Sequence, residues 1–225
     1  MKKYVIIPAG GSGSRMKNKV PKQFMLLKGK PVLYYAISTF LEALPDCFII
    51  LVLPEPYIAA GQEIIDAFFG YKRIKIVVGG RTRFHSVQNG LQLVEDEDSI
   101  IFVHDAVRPF VSRGLLERCI ESVLENGSAI PVTACKDSVR IITADGNEAL
   151  DRSLVKMVQT PQVFHGKILL PAFKIDYKDK FTDEATVAEA FGLKVTLVEG
   201  DEQNIKITAP ADLLIAESFL ITGHS

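Results

Sequence analysis

Nowhere does the chain hold the roughly 18 consecutive apolar residues that a membrane-spanning helix requires. Its opening run, "MKKYVIIPAGG", turns to glycine too soon to act as a signal peptide, and a cytoplasmic protein is expected. Cysteine is scarce. Cys47, Cys119 and Cys135 are odd in number, widely spaced and set among apolar residues, which excludes a disulfide framework and a CxxC metal site and predicts small core side chains. A strong charge imbalance is also missing, since the formal net charge is −1, and this argues against nucleic acid as a partner. The most telling scarcity is local. Between Met1 and Leu41 there is no Asp or Glu, whereas Lys2, Lys3, Arg15, Lys17, Lys19, Lys22, Lys28 and Lys30 all fall there. A cationic segment on a near-neutral protein points to a small anionic ligand, with a solvated basic face as the plain alternative.

What is present suffices for one large domain: 225 residues, 48% of them hydrophobic. Short apolar, mostly β-branched runs at 4–8, 48–53, 74–78, 100–103 and 129–133 predict strands buried on both faces. Helices are expected between them. In "PVLYYAISTFLEAL" apolar residues recur at three- and four-residue spacing after Pro31, and "SRGLLERCIESVLENG" repeats this between an N-cap serine, Ser112, and a closing glycine, Gly127. Two more helices are expected over 87–94 and 210–220. This alternation predicts an α/β fold, a Rossmann-like, mostly parallel sheet with helices on both faces, in a single domain spanning 1–225. One segment breaks the rhythm. The run 138–143, the turn signal Asp145-Gly146-Asn147 and a second extended run predict a β-hairpin, an arm over about 135–155 that rests on a second copy of the chain or folds back on its own domain.

The glycine loop "AGGSGSR" leaves the first predicted strand where open α/β sheets bind ligands. It is no Walker A loop, because no Gly-Lys follows at the required offset. It also fails the dinucleotide fingerprint: Met16 stands where the third glycine belongs, and the first carboxylate is Glu42. Kinase and dehydrogenase readings weaken together. What remains is a turn whose backbone can approach an anion, flanked by Arg15 and by Lys22, the latter fixed in direction by Pro21. Two cations converging on a triphosphate would neutralise charge that builds as a phosphorus–oxygen bond breaks.

Seven motifs, "AGGSGSRM" with "PKQF", "GGRTRFHSV", "HDAVRP", "QTPQVF", "TDEA" and "EGDEQNIKIT", in this order and spacing, resemble the 2-C-methyl-D-erythritol 4-phosphate cytidylyltransferases of non-mevalonate isoprenoid biosynthesis over nearly the whole chain. The resemblance implies a nucleotidyltransferase that joins CTP and the polyol phosphate, releases pyrophosphate and uses Mg²⁺, with no metal-ligating residue assigned. It implies catalytic roles for Arg15, Lys22, Arg152 and Lys206, and CTP contacts at Ala9, Gly10, Gly11, Gly13, Gly80 and Ser86, although Ser86 would also suit a helix N-cap. Polyol-phosphate contacts are implied at Asp105, Arg108, Ser138 and Thr182, Arg108 serving the phosphate or the structure nearby. Arg152 would reach from the arm into a neighbouring subunit's site, making a homodimer. Arg81 departs from relatives that carry Asp there, so no ribose contact is assigned to it. His104 is expected to be structural because an attacking phosphate needs no base, and His85 and His165 receive no role. The rival readings are a ribitol 5-phosphate cytidylyltransferase, which shares "HDAVRPF" and "QTPQ", and a nucleotide sensor without catalysis.

Overall fold

The structure is a computed structural model that describes residues 1–11, 20–70 and 73–221. In chain order its elements are β1 (Lys2–Pro8), β2 (Leu26–Leu27), β3 (Lys30–Pro31), α1 (Val32–Ala43), β4 (Phe48–Leu53), α2 (Ile58–Phe68), β5 (Ile74–Val78), α3 (Arg83–Leu91), β6 (Ser99–Val103) and α4 (Arg113–Asn126). Then come β7 (Ser128–Ala134), β8 (Val139–Thr143), β9 (Gly146–Leu150), β10 (Lys156–Val158), β11 (Gln162–His165), α5 (Gly166–Ala172), α6 (Glu184–Ala190), β12 (Leu197–Glu199) and α7 (Pro210–Ile221). No helix among the described residues is long and apolar enough to cross a membrane.

The core of the sheet is four parallel strands in the order β6-β1-β4-β5, with Val5 paired to Ile49 on one side and Phe102 on the other. Beyond β6 the direction changes. β11 runs antiparallel to both β6 and β7, β10 pairs antiparallel with β7, and β12 pairs parallel with it. The sheet is therefore mostly parallel, as the strand–helix alternation predicts.

Residue alternation along each central strand builds two cores. Val5 and Ile7, Ile49, Leu51 and Leu53, and Ile100 and Phe102 face one side, where Leu33, Ile37 and Phe40 of α1 and Leu115, Leu116 and Cys119 of α4 cover them. Tyr4 and Ile6, Ile50 and Val52, and Ile101 and Val103 face the other, under Val87 and Leu91 of α3 and Ala185 and Ala188 of α6. Strands covered on both faces must be apolar at every position, which is why they read as unbroken runs. A third, smaller cluster (Leu27, Val32, Val107, Ile207, Ala216) binds α7 to the rest.

Several expectations need correction. The helix expected from residue 87 begins at Arg83, because Thr82 caps it by accepting a hydrogen bond from the His85 N–H, and it ends at Leu91. Its apolar stripe is only Phe84, Val87 and Leu91, too sparse to mark the first turn by periodicity. Ser86 therefore lies inside the helix and is not its cap. Cys47 and Cys119 are buried, with burial pushing their thiols up to about 11 and about 12, but Cys135 is half-buried outside the core. The hairpin forms as β8 and β9, paired with each other. Thr143 faces Gly146, so the turn is Ala144–Asp145, one residue earlier than the Asp-Gly-Asn signal suggests. Ile141, Ile142 and Leu150 on the hairpin are exposed, Ile142 to 80%.

Candidate active site

The carboxyl ends of the parallel strands are stitched together beyond their last pairs. The His104 N–H donates to Ile6 O at 2.9 Å, Ala9 N–H to Val52 O at 2.8 Å and Gly79 N–H to Leu53 O at 2.8 Å. Loops that leave such a rim start from fixed points. They enclose a cleft of about 320 Å³. Gly10 and Gly11 extend from β1, Gly79 and Gly80 from β5, and Asp105 from β6, while Lys22 and Lys206 come from the segments before β2 and α7. Lys22, Arg81, Arg83 and Lys206 bring positive charge, and Asp105 is the acidic residue among the described ones that line it.

On the β5 side the backbone folds tightly onto α3. A Cβ on Gly80 would stand 2.4 Å from His85 Cβ and 2.9 Å from His85 C, so this approach requires glycine. The Gly80 N–H donates to Ser86 Oγ at 3.1 Å, and the Ser86 hydroxyl donates onward to Thr82 O at 3.0 Å. On the β1 side, Ala9 O accepts from the buried Gln23 Nε2 at 2.7 Å and keeps one lone pair for a ligand.

Across the cleft runs a chain of alternating charges. The Glu184 carboxylate, 1% exposed, takes both terminal nitrogens of Arg83 in a bidentate pair, Nη2 at 3.1 Å. Nη2 of the same guanidinium stands 3.5 Å from Asp105 Oδ1, and Lys206 Nζ stands 2.8 Å from Asp105 Oδ2. Burial alone would raise the Asp105 pKa, but Arg83 and Lys206, with Arg108 behind them, hold it well below the usual carboxylate range. Burial works likewise against the Arg83 charge, and Glu184 and Asp105 override it and keep the guanidinium protonated. Glu184 itself is pushed up by burial, with Arg83 pulling against that shift.

The floor behind Asp105 is a buried polar network. Arg108 Nη1 donates to Asn204 O at 2.7 Å, the Asn204 amide donates to Thr160 O at 2.8 Å, and Thr160 Oγ1 accepts from the Asp105 N–H at 3.0 Å. His104 is fully buried between Arg108 O (2.9 Å) and Thr160 Oγ1 (3.1 Å), edge-on to Phe40, and burial lowers its pKa to about 4. It is neutral at physiological pH.

Of the residues singled out from the sequence, Ala9, Gly10, Gly11, Lys22, Gly80, Ser86, Asp105 and Lys206 meet around one cleft. Gly13 and Arg15 lie outside the described residues. Of the two roles expected for Arg108, its placement suits the structural one: its guanidinium is turned onto the Asn204 carbonyl behind Asp105, where Val158 O and the Asp105 carboxylate also face it. Thr182 is exposed beside the α6 cap, away from the cleft lining. Ser138 and Arg152 are exposed on and beside the hairpin, where Arg152 Nη1 donates to Lys136 O at 2.8 Å. Sequence reasoning missed Arg83, Glu184 and Gln23. Arg83 and Glu184 lie inside quoted motifs, but their partnership spans 101 residues of chain and no spacing rule announces it.

A family model described as 2-C-methyl-D-erythritol 4-phosphate cytidylyltransferase matches residues 3–222. Curated proteins of that name from Phocaeicola vulgatus (45% identical, covering 96% of this chain and 99% of the relative) and Bacteroides fragilis (42%, covering 98% and 100%) are similar along their full length. Among solved structures, the 4-diphosphocytidyl-2C-methyl-D-erythritol synthase of Anaerococcus prevotii superposes with a TM-score of 0.83 at 30% identity, covering 98% of this chain and 96% of that one.

Proposed function

This chain belongs to the 2-C-methyl-D-erythritol 4-phosphate cytidylyltransferase family of non-mevalonate isoprenoid biosynthesis, and from that premise we propose that the cleft is where it transfers the cytidylyl group of CTP to 2-C-methyl-D-erythritol 4-phosphate. The observation that carries the site assignment is the convergence of Lys22, Arg83 and Lys206 with a single carboxylate, Asp105, on a glycine-lined rim. An oxygen of the polyol phosphate attacks the α-phosphorus of CTP. The bond to the β-phosphate bridging oxygen breaks, its electron pair leaves with pyrophosphate, and the attacking oxygen needs no base because it is already anionic. Lys22, together with Arg15, neutralises the charge that develops on the phosphates. The side chain of Lys206 holds the attacking phosphate, Asp105 accepts from a polyol hydroxyl, and Gly80, Ser86 and the Ala9 carbonyl face the base. Arg108 supports Asp105 from behind.

Mg²⁺ accompanies this reading as part of the CTP complex, where it would offset phosphate charge. Among the described residues no trio of His, Cys, Asp or Glu could cage an ion, and Asp105 is tied to Lys206. That donor set suits Mg²⁺ ligated mostly by phosphate oxygens and water. A homodimer completes the reading. Ser138 and Arg152, displayed on an exposed arm outside their own cleft, would serve the site of a second copy. The cytoplasm goes with three unpaired cysteines.

The test is a competition between the two polyol phosphates at limiting CTP. A higher kcat/KM for 2-C-methyl-D-erythritol 4-phosphate is expected. A higher value for ribitol 5-phosphate would overturn the substrate assignment, and CTP binding without turnover of either would make the protein a sensor.

A further inference from the structure

Glu184 is a carboxylate with nowhere to go. It is 1% exposed, and both of its oxygens are taken by Arg83. Its position is set by the sheet. Gln162 of β11 donates to the Asp183 carboxylate (2.9 Å) and accepts from the Ala185 N–H (2.8 Å), gripping the start of α6 on both sides of Glu184. Asp183 and Thr186 close that end with a reciprocal capping box. A buried anion on so rigid a mount, paired in fork geometry, holds a guanidinium in one place.

The held guanidinium lines the cleft and reaches Asp105 Oδ1 at 3.5 Å, a longer contact than the 3.1 Å its Nη2 makes with Glu184. Asp105 thereby keeps its short contact, 2.8 Å, for Lys206. Without Glu184, Arg83 would close on Asp105 and compete with Lys206 for the same carboxylate. We infer that Glu184, acting through Arg83, is a positioning residue that limits Arg83 to a long contact with Asp105 Oδ1 and leaves Oδ2 to Lys206, setting that pair for the polyol phosphate. This rests on the reading of the cleft given above. CTP contacts at Gly80, Ser86 and Lys22 lie outside the chain of charges, so the device acts on one substrate and not on the other.

The experiment measures KM for each substrate and kcat for the wild type, Glu184→Gln, Arg83→Lys and the double variant, with thermal melting of each. The expected result for Glu184→Gln is a rise of about tenfold in KM for the polyol phosphate, with KM for CTP within twofold of the wild type. In Arg83→Lys the charge survives and the fork is lost, so a smaller rise in the same KM is expected. The double variant should be no worse than the poorer single one, because the two residues act as a unit. Equal rises in both KM values, or effects that multiply in the double variant, would reduce Glu184 to a stabiliser of the fold and overturn the inference. Should Glu184→Gln fail to fold, Arg83→Lys decides by the same split between the two KM values. An inactive wild type would refute the functional reading itself, whereas an active wild type with an unchanged KM ratio in the variants refutes only this step.

Discussion

Lys22 sits half-buried at the start of a short 3-10 turn, after Pro21 has set the backbone direction, and lines the cleft beside Gly10 and Gly11. Its ammonium matters most when charge gathers on the departing phosphates, so Lys22→Ala should lower kcat at least about a hundredfold, with a melting temperature near that of the wild type. A near-native kcat would remove it from the reaction. His104 serves stability. Its folded pKa is about 4, against 6.5 for the free side chain. Between those values the unfolded chain takes up a proton that the folded one refuses. The stabilisation is therefore complete above pH 6.5 and is lost as pH falls toward 4, by about 3 kcal/mol over the window. Denaturant melts from pH 7 to 4 should show this slope, and His104→Gln should flatten it. Asp105 adds a separate loss at lower pH: its folded pKa is depressed, so its contribution is present above the ordinary carboxylate value and vanishes as acid protonates it.

At the scale of elements, the start of α3 decides how the β5 loop meets a nucleotide. Gly80 lies against His85, so Gly80→Ala pushes the first helical turn away and carries Ser86 and Arg83 with it. The expected cost is about 1–3 kcal/mol of stability, as for other overpacked sites, together with a higher KM for CTP. An unchanged melting curve and KM would mean that the turn can move freely. The hairpin is the opposite case. β8 and β9 form a two-stranded sheet of their own, so replacing residues 139–150 with a short glycine linker should leave thermal unfolding within about 4 °C of the wild type. The same deletion should abolish activity if the arm completes a partner's site.

For the whole molecule the question is whether a site is shared between two copies. Arg152→Ala and Lys22→Ala proteins, each inactive alone, should recover partial activity when mixed, because one site of a mixed dimer keeps both side chains. Subunit exchange is followed in parallel by native mass spectrometry. Exchange without recovery would confine the site to one chain.

Periodicity and end signals, read from residues within about ten positions of one another, were enough for the central strands, for α1 between Pro31 and Ala43, and for α4 between Ser112 and Gly127. The motifs likewise marked Lys22, Gly80, Asp105 and Lys206 as a group before any fold was known. Local patterns also misled. The sparse apolar stripe of α3 hid its first turn, and the turn signal at Asp145 was off by one residue. The charge chain Glu184–Arg83–Asp105–Lys206 and the inward turn of Arg108 were decided only in three dimensions. Helix and strand formation depends on neighbours along the chain, which a sequence displays directly. Pairing of distant charges depends on which strand lies beside which, and on how deeply water is excluded between them, and both are set only when the sheet has assembled.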